Sequence, residues 1–281
     1  MFKSLKHIWP EPTIMPEALS QAASLIHSAD SLVICAGAGM GVDSGLPDFR
    51  GNSGFWKAYP RLAAQGVRFA EIANPSAFLE HPELAWEFYA HRINLYRSAQ
   101  PHLGFGILKR WCDEKPGGGF VYTSNVDGHF QKAGFADSRV LECHGSLAYL
   151  QCTEPCGNHL WPMPDAIDPK QPPLCPKCDE LARPNVLMFN DWGAIHERAE
   201  QKHEAFERWS AIVSNPIVIE LGAGVNIPSV RRFAATLEVP IVRINPQDHR
   251  ISRPHAGLAF GALKGLTALQ EVLESSVVAQ P

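Results

Sequence analysis

The chain has 281 residues, 45% of them apolar, and a formal net charge of −4. That length suits one α/β unit with insertions or about two domains, and the acid excess argues against generic nucleic-acid binding, which relies on basic surfaces. No run approaches the ~18 consecutive apolar residues of a membrane helix. The opening MFKSLKHIWPEPT lacks the apolar core of a signal peptide, so the seven cysteines point to metal or thiol chemistry in a reducing compartment, the cytoplasm by default.

Pro16 to His27 begins with proline and spaces Leu19, Ala22, Ala23 and Ile26 along one side of a helix. Ser31 to Ala36 is an apolar, β-branched run that predicts a buried parallel strand. It passes into Gly37-Ala38-Gly39-Met40-Gly41, where glycines allow a tight turn and the close approach of another group. Such a turn is where dinucleotide-binding folds seat a pyrophosphate, although it also closes ordinary strand–helix units. Asp43-Ser44-Gly45-Leu46-Pro47-Asp48-Phe49-Arg50-Gly51 then sets an acid, an aromatic and an arginine side by side in an irregular segment. An aromatic can cover a flat ring, and an arginine can grip a phosphate through two parallel hydrogen bonds.

From Asn52 to Ser98 the chain is rich in aromatics and helix formers, broken at Asn74-Pro75 and His81-Pro82, which predicts a helical insertion whose longest element spans Ala85 to Tyr96. A helix over Phe105 to Asp113 leads through Gly117-Gly118-Gly119 into a strand at Phe120 to Thr123, and another strand, Val140 to Cys143, ends at His144. After a proline- and cysteine-rich module the pattern returns: a helix near Ile195 to Ser214, a strand Ile217 to Leu221 ending in Gly222-Ala223-Gly224, a strand Ile241 to Ile244 ending at Asn245, and a helix Ala262 to Glu274. Repeated strand–turn–helix units predict a doubly wound, Rossmann-like parallel sheet. Ligands of such sheets lie beyond the carboxyl ends of the strands, where Gly37, Asn125, His144, Gly222 and Asn245 all fall.

In the module, Cys152-x3-Cys156 and Cys175-x2-Cys178 are close to the spacing of a four-cysteine zinc site. Four thiolates leave a tetrahedral ion no open position, so the site reads as structural. Cys35, Cys112 and Cys143 lie in apolar or strand contexts and read as core residues.

Thr123-Ser124-Asn125-Val126-Asp127 follows one strand and His144-Gly145-Ser146 another. An Asn and an Asp together can satisfy the donor and acceptor of a carboxamide such as nicotinamide. A histidine just past a strand can act as a base near neutral pH.

These stretches, from the GAG turn through GLPDFRG, TSNVD and HGS to the paired cysteines, resemble in order and wording the sirtuins, the NAD-dependent protein deacylases. The likeness spans about Ala22 to Leu273. It implies a Rossmann-like large domain from residues 14–51, 101–150 and 183–281, and a small domain from the helical insertion 52–100 and the zinc module 151–182. Carried over by position, it implies cofactor contacts at Gly37, Ala38, Gly39, Asp48, Phe49, Arg50, Ser124, Asn125, Asp127, Gly222, Ala223, Gly224 and Asn245. Phe49 would shield the ribose, and Asn125 with Asp127 would hold nicotinamide. His144 would take a ribose hydroxyl proton, giving free lysine, nicotinamide and O-acyl-ADP-ribose. Val186, Leu187 and Phe189 would pair with an acyl-lysine peptide as an extended strand. Tyr89 and Arg92 resemble the tyrosine-x-x-arginine pair of family members that accept succinyl- and malonyl-lysine; one turn apart, they share a helix face. Gly41, Ser124, Ala223 and Gly224 stand where the family usually carries other polar side chains. Protein ADP-ribosyl transfer, NAD hydrolysis and a non-catalytic NAD-binding module therefore remain as alternatives.

Overall fold

The computed structural model describes residues 14–47, 57, 59–64, 66–154 and 156–278. Its helices are α1 (Ile14–Ser28), α2 (Pro60–Ala64), α3 (Phe69–Ile72), α4 (Pro75–Glu80), α5 (Pro82–Ser98), α6 (Leu103–Glu114), α7 (His129–Lys132), α8 (Glu197–Ser210), α9 (Ser229–Thr236) and α10 (Ala262–Val278). The strands are β1 (Ser31–Ala36), β2 (Gly119–Thr123), β3 (Val140–Glu142), β4 (Gly145–Cys152), β5 (Trp161–Pro162), β6 (Ala182–Val186), β7 (Pro216–Leu221), β8 (Ile241–Ile244) and β9 (Ala256–Leu258).

Six strands form one parallel sheet in the order β3-β2-β1-β7-β8-β9. Every residue of β1 is buried, as a strand covered on both faces requires. One face packs under Ile26, Phe105, Leu266 and Leu269 from α1, α6 and α10. The other packs under Phe206 and Trp209 of α8 and Val230 and Ala234 of α9. Strand order runs outward in opposite directions from β1 and β7, so the crevice between their carboxyl ends is a topological switch point.

The predicted strands at β1, β2, β3, β7 and β8 are present, each within a residue or so of its expected range. The segments 145–152 and 182–186 pair with each other: β4 and β6 run antiparallel in a second, three-stranded sheet with β5. Leu147, Leu150, Ala182 and Val186 turn their apolar surface toward Trp86, Phe88 and Tyr89 of α5, and the indole N–H of Trp86 donates to the Ala182 carbonyl at 3.1 Å. Burying one such large side chain contributes about 1.5–3 kcal/mol. Among the described residues no helix is long and apolar enough to cross a membrane.

Candidate active-site cleft

The two glycine turns meet at the switch point. Gly39 N–H donates to the Gly222 carbonyl at 3.1 Å. A Cβ on Gly37 would lie 2.8 Å from Ala223 Cα, and one on Gly222, where φ is +56°, would lie 2.4 Å from Gly39 Cα. Glycine is therefore required by contact at the first position and by contact and conformation at the second.

Around them opens a cleft of about 340 Å³. Gly37, Ala38 and Gly41 border it from the β1 side; Ser124, Asn125 and Asp127 from the end of β2; His144 from the end of β3; and Gly222 with Gly224 to Ile227 from the β7 side. Arg92 and Tyr96 reach in from α5.

Thr123 shapes the end of β2: its hydroxyl donates to the Ala36 carbonyl at 2.9 Å and accepts the Asn125 N–H at 3.0 Å. Asn125 Nδ2 donates to the Gly37 carbonyl at 3.1 Å, which commits an amide N–H and leaves Oδ1 as an acceptor for a ligand. Asp127 Oδ1 accepts the His129 N–H at 2.9 Å. Burial raises the Asp127 carboxyl above the usual aspartate value, against the opposing pull of His129.

His144 is placed by its backbone, whose carbonyl accepts the Leu187 N–H at 2.9 Å. Its ring Nε2 lies 3.2 Å from Ser229 Oγ. Burial holds its pKa below the ordinary 6.5, so the imidazole is neutral and able to accept a proton near neutral pH.

Arg92 Nε donates to Tyr96 Oη at 3.0 Å, with the guanidinium carbon 5.2 Å from the centre of the Tyr96 ring. Tyr89 is only 1% exposed and does not border the cleft. The sequence pattern singles out Tyr89; Tyr96, four residues beyond Arg92 and on the same helix face, is the tyrosine at the cleft wall.

Three candidate cofactor residues sit behind the wall. Gly39 and Ala223 join the two turns, and Asn245 is fully buried, its Nδ2 donating to the Ala223 carbonyl at 3.1 Å while its Oδ1 accepts the Gln247 and Asp248 N–H groups at 3.0 and 2.9 Å. Asn245 thereby sets the β7 and β8 loops, and Gln247 and Asp248 are the residues that border the cleft. Asp48, Phe49 and Arg50 lie outside the described residues.

Val186 closes β6 in the core, Leu187 is exposed, and Phe189 packs edge-on against Phe69, a cleft residue, at 5.7 Å. The segment is clamped by a buried ion pair: Arg183 donates to both carboxylate oxygens of Asp191 at 2.8 and 2.7 Å, and Asp191 also accepts the Gly193 N–H at 3.2 Å.

Away from the cleft, the four cysteine sulfurs of Cys152, Cys156, Cys175 and Cys178 all lie within 4.8 Å of one another, with Cys152–Cys178 and Cys156–Cys175 at 3.7 Å. That convergence fits one tetrahedral ion held by thiolates. His159 Nε2, 3.4 Å from Cys175 Sγ, stacks on Trp161 at the edge of the group.

A family model described as the Sir2 family matches residues 37–215. An NAD-dependent protein deacylase of Thermus thermophilus is 32% identical over 259 residues, covering 90% of this chain and 94% of that protein. One from Aeropyrum pernix is 35% identical over 240 residues, covering 84% and 89%. Among solved structures, a complex of a Sir2 homologue with NAD superposes with a TM-score of 0.71 at 26% identity, covering 92% of this chain and 94% of the other. A mutant Sir2 homologue in complex with ADP-ribose gives 0.69 at 28%, covering 93% and 98%.

Proposed function

This chain belongs to the Sir2 family, and we propose that its cleft removes acyl groups from protein lysines at the expense of NAD. It is an NAD-dependent protein deacylase with a structural zinc. The observation that supports the site assignment is the convergence of Asn125, Asp127 and a half-buried, neutral His144 on one cleft at the switch point, floored by two glycine turns.

The glycine turns would hold the pyrophosphate, because both present backbone at the cleft with no side chain in the way. Asn125 Oδ1 and Asp127 would face the nicotinamide carboxamide. NAD, when bound, supplies a ribose carbon from which nicotinamide departs and to which the acyl oxygen becomes joined. His144 then accepts a proton from a ribose hydroxyl, and its burial keeps it ready to do so. Leu187 and Phe189 border the lysine entry, and Arg92 faces the acyl end, where a guanidinium favours acyl chains ending in carboxylate. The protein's contribution is orientation together with one base.

A second reading, NAD hydrolysis or ADP-ribosyl transfer to protein, draws on Gly41 and Gly224, which border the cleft and offer no side chain to restrain a competing acceptor. A product assay by mass spectrometry with NAD and matched acetyl- and succinyl-lysine peptides separates the two. Deacylated peptide with equimolar O-acyl-ADP-ribose is the expected result. Nicotinamide release with both peptides intact would favour the second reading.

A further inference from the structure

His144 and Ser229 approach each other from different sides of the switch point. His144 follows β3, Ser229 opens α9 beyond β7, and β2 and β1 lie between. Their side chains nevertheless meet, Nε2 to Oγ, at 3.2 Å. Among the described residues this hydroxyl is the one hydrogen-bonding partner of the His144 ring.

Ser229 is held more firmly than the loop before it. Gly224 to Ile227 are exposed, whereas Ser229 is half-buried between Pro228 and the buried Val230. Proline fixes its own φ, and the Arg232 N–H donates to the Pro228 carbonyl at 2.8 Å, closing the first turn of α9. On such backbone the hydroxyl has a single side-chain torsion left to set.

We propose that Ser229 is a positioning residue for His144, fixing the orientation of the imidazole before the substrates arrive. The proposal rests on His144 being the base of the deacylase reaction. With its proton on Nε2 the neutral ring donates to Ser229 Oγ, which leaves Nδ1 free to take up a proton, and the protonated ring keeps the same donation. One contact thus serves both states of a group that takes up a proton and returns it. No bond to Ser229 forms or breaks; its effect is to remove unproductive ring orientations and the reorganisation they would require. The consequence is selective. Asn125 and Asp127 act where nicotinamide leaves, whereas His144 acts on the ribose hydroxyl, so loss of Ser229 weakens the later step.

The test uses the whole, zinc-loaded chain carrying Ser229→Ala, Ser229→Thr or Ser229→Val, with NAD and an acetyl-lysine peptide, measuring nicotinamide exchange and O-acyl-ADP-ribose formation separately. Ser229→Ala and Ser229→Val should lower kcat for O-acyl-ADP-ribose about three- to tenfold, the effect of one neutral hydrogen bond. Nicotinamide exchange and KM for NAD should change far less, and Ser229→Thr should restore the rate. Equal loss in both partial reactions, a valine variant that matches threonine, or an alanine variant with full kcat would overturn the proposal. Should the unaltered protein form no O-acyl-ADP-ribose with any acyl peptide, the deacylase assignment fails instead. The contact is then tested by imidazole ¹⁵N shifts of His144: a tautomer ratio altered by Ser229→Ala supports it, and identical shifts refute it.

Discussion

Asn125 spans from the end of β2 to the first glycine turn, its Nδ2 on the Gly37 carbonyl at 3.1 Å. The side chain is therefore a strut of the turn as well as a proposed contact for nicotinamide. Asn125→Ala should reduce both nicotinamide release and deacylation by about 100-fold or more, the scale of losing a preorganised polar group in a site. The lost strut should lower unfolding free energy by only about 1 kcal/mol. Product analysis and urea unfolding on the same sample check the pair of effects; full nicotinamide release would remove Asn125 from the reaction.

Arg92 predicts acyl selectivity. A charge-assisted contact to a terminal carboxylate is worth about 1.5–3 kcal/mol, so Arg92→Met should lower kcat/KM for a succinyl peptide about 10- to 100-fold and leave an acetyl peptide much less affected. Tyr96→Phe removes the oxygen that accepts the Arg92 Nε–H and should cause a smaller loss with the same preference. Equal effects on both peptides would mean that Arg92 supports the cleft without reading the acyl chain.

The Arg183–Asp191 pair is completely buried, with two parallel hydrogen bonds. Removing one partner leaves an uncompensated charge, at a cost of about 3–5 kcal/mol. Asp191 also secures the turn through Asn190, whose φ of +54° is left-handed, and beyond it Trp192 is 97% exposed. Arg183→Met should therefore reduce stability in urea and raise KM for peptide more than KM for NAD. The double variant Arg183→Met/Asp191→Leu should recover stability without recovering the peptide KM. A single variant as stable as the parent would contradict this account.

His102 predicts a pH dependence. Its Nδ1 accepts the Gly104 N–H at 3.0 Å while Nε2 lies 2.9 Å from the Met40 carbonyl, an arrangement that suits the neutral ring with its proton on Nε2. Burial is the main cause of a pKa below the ordinary 6.5, and His144 is shifted the same way by burial. The unfolded chain therefore takes up protons first as pH falls. This stability is present above 6.5 and is lost as pH drops through the lower folded values. Urea unfolding from neutral pH to pH ~5 should show the decline, and His102→Gln should flatten it. An unchanged slope would exclude His102 as a source.

The four-cysteine cluster predicts one zinc per chain. Cys175→Ser, or a strong chelator, should release the metal and expose 152–182 to proteases while the parallel sheet keeps its circular dichroism. Full metal content in the variant would exclude Cys175 as a ligand. Cys152 closes β4 and is fully buried, so Cys152→Ser should disturb the three-stranded sheet more than loss at exposed Cys156.

Much of this arrangement is legible in the sequence because its signals are local. β1 is a continuous apolar run followed by glycines, and the cysteines declare themselves by spacing. β4 and β6 are less legible, since they acquire strand character from each other across a long intervening stretch, Gly145 pairing with Val186 and Cys152 with Ala182. Ser229 and Tyr96 are missed for a related reason. A serine after proline carries no signal until folding brings it to His144, and Tyr96, though one helical turn from Arg92, is one tyrosine among many aromatics until the cleft forms beside it. Asn245 sits where a ligand contact is expected, and the structure adds a role the sequence does not show, its hydrogen bonds to the Ala223, Gln247 and Asp248 backbone.

The position of β1 in the sheet has a consequence for biosynthesis. Its six residues emerge early, yet one neighbour begins at Gly119 and the other at Pro216. Throughout most of translation this wholly buried strand has an open edge, the kind of surface that recruits other chains. The short-range helices of α4 and α5 can form in that interval, but β1 gains its second neighbour only once β7, residues 216–221 of 281, has been made. Slowing the ribosome before residue 216 should therefore increase aggregation of nascent chains, whereas a pause after β8 should be tolerated.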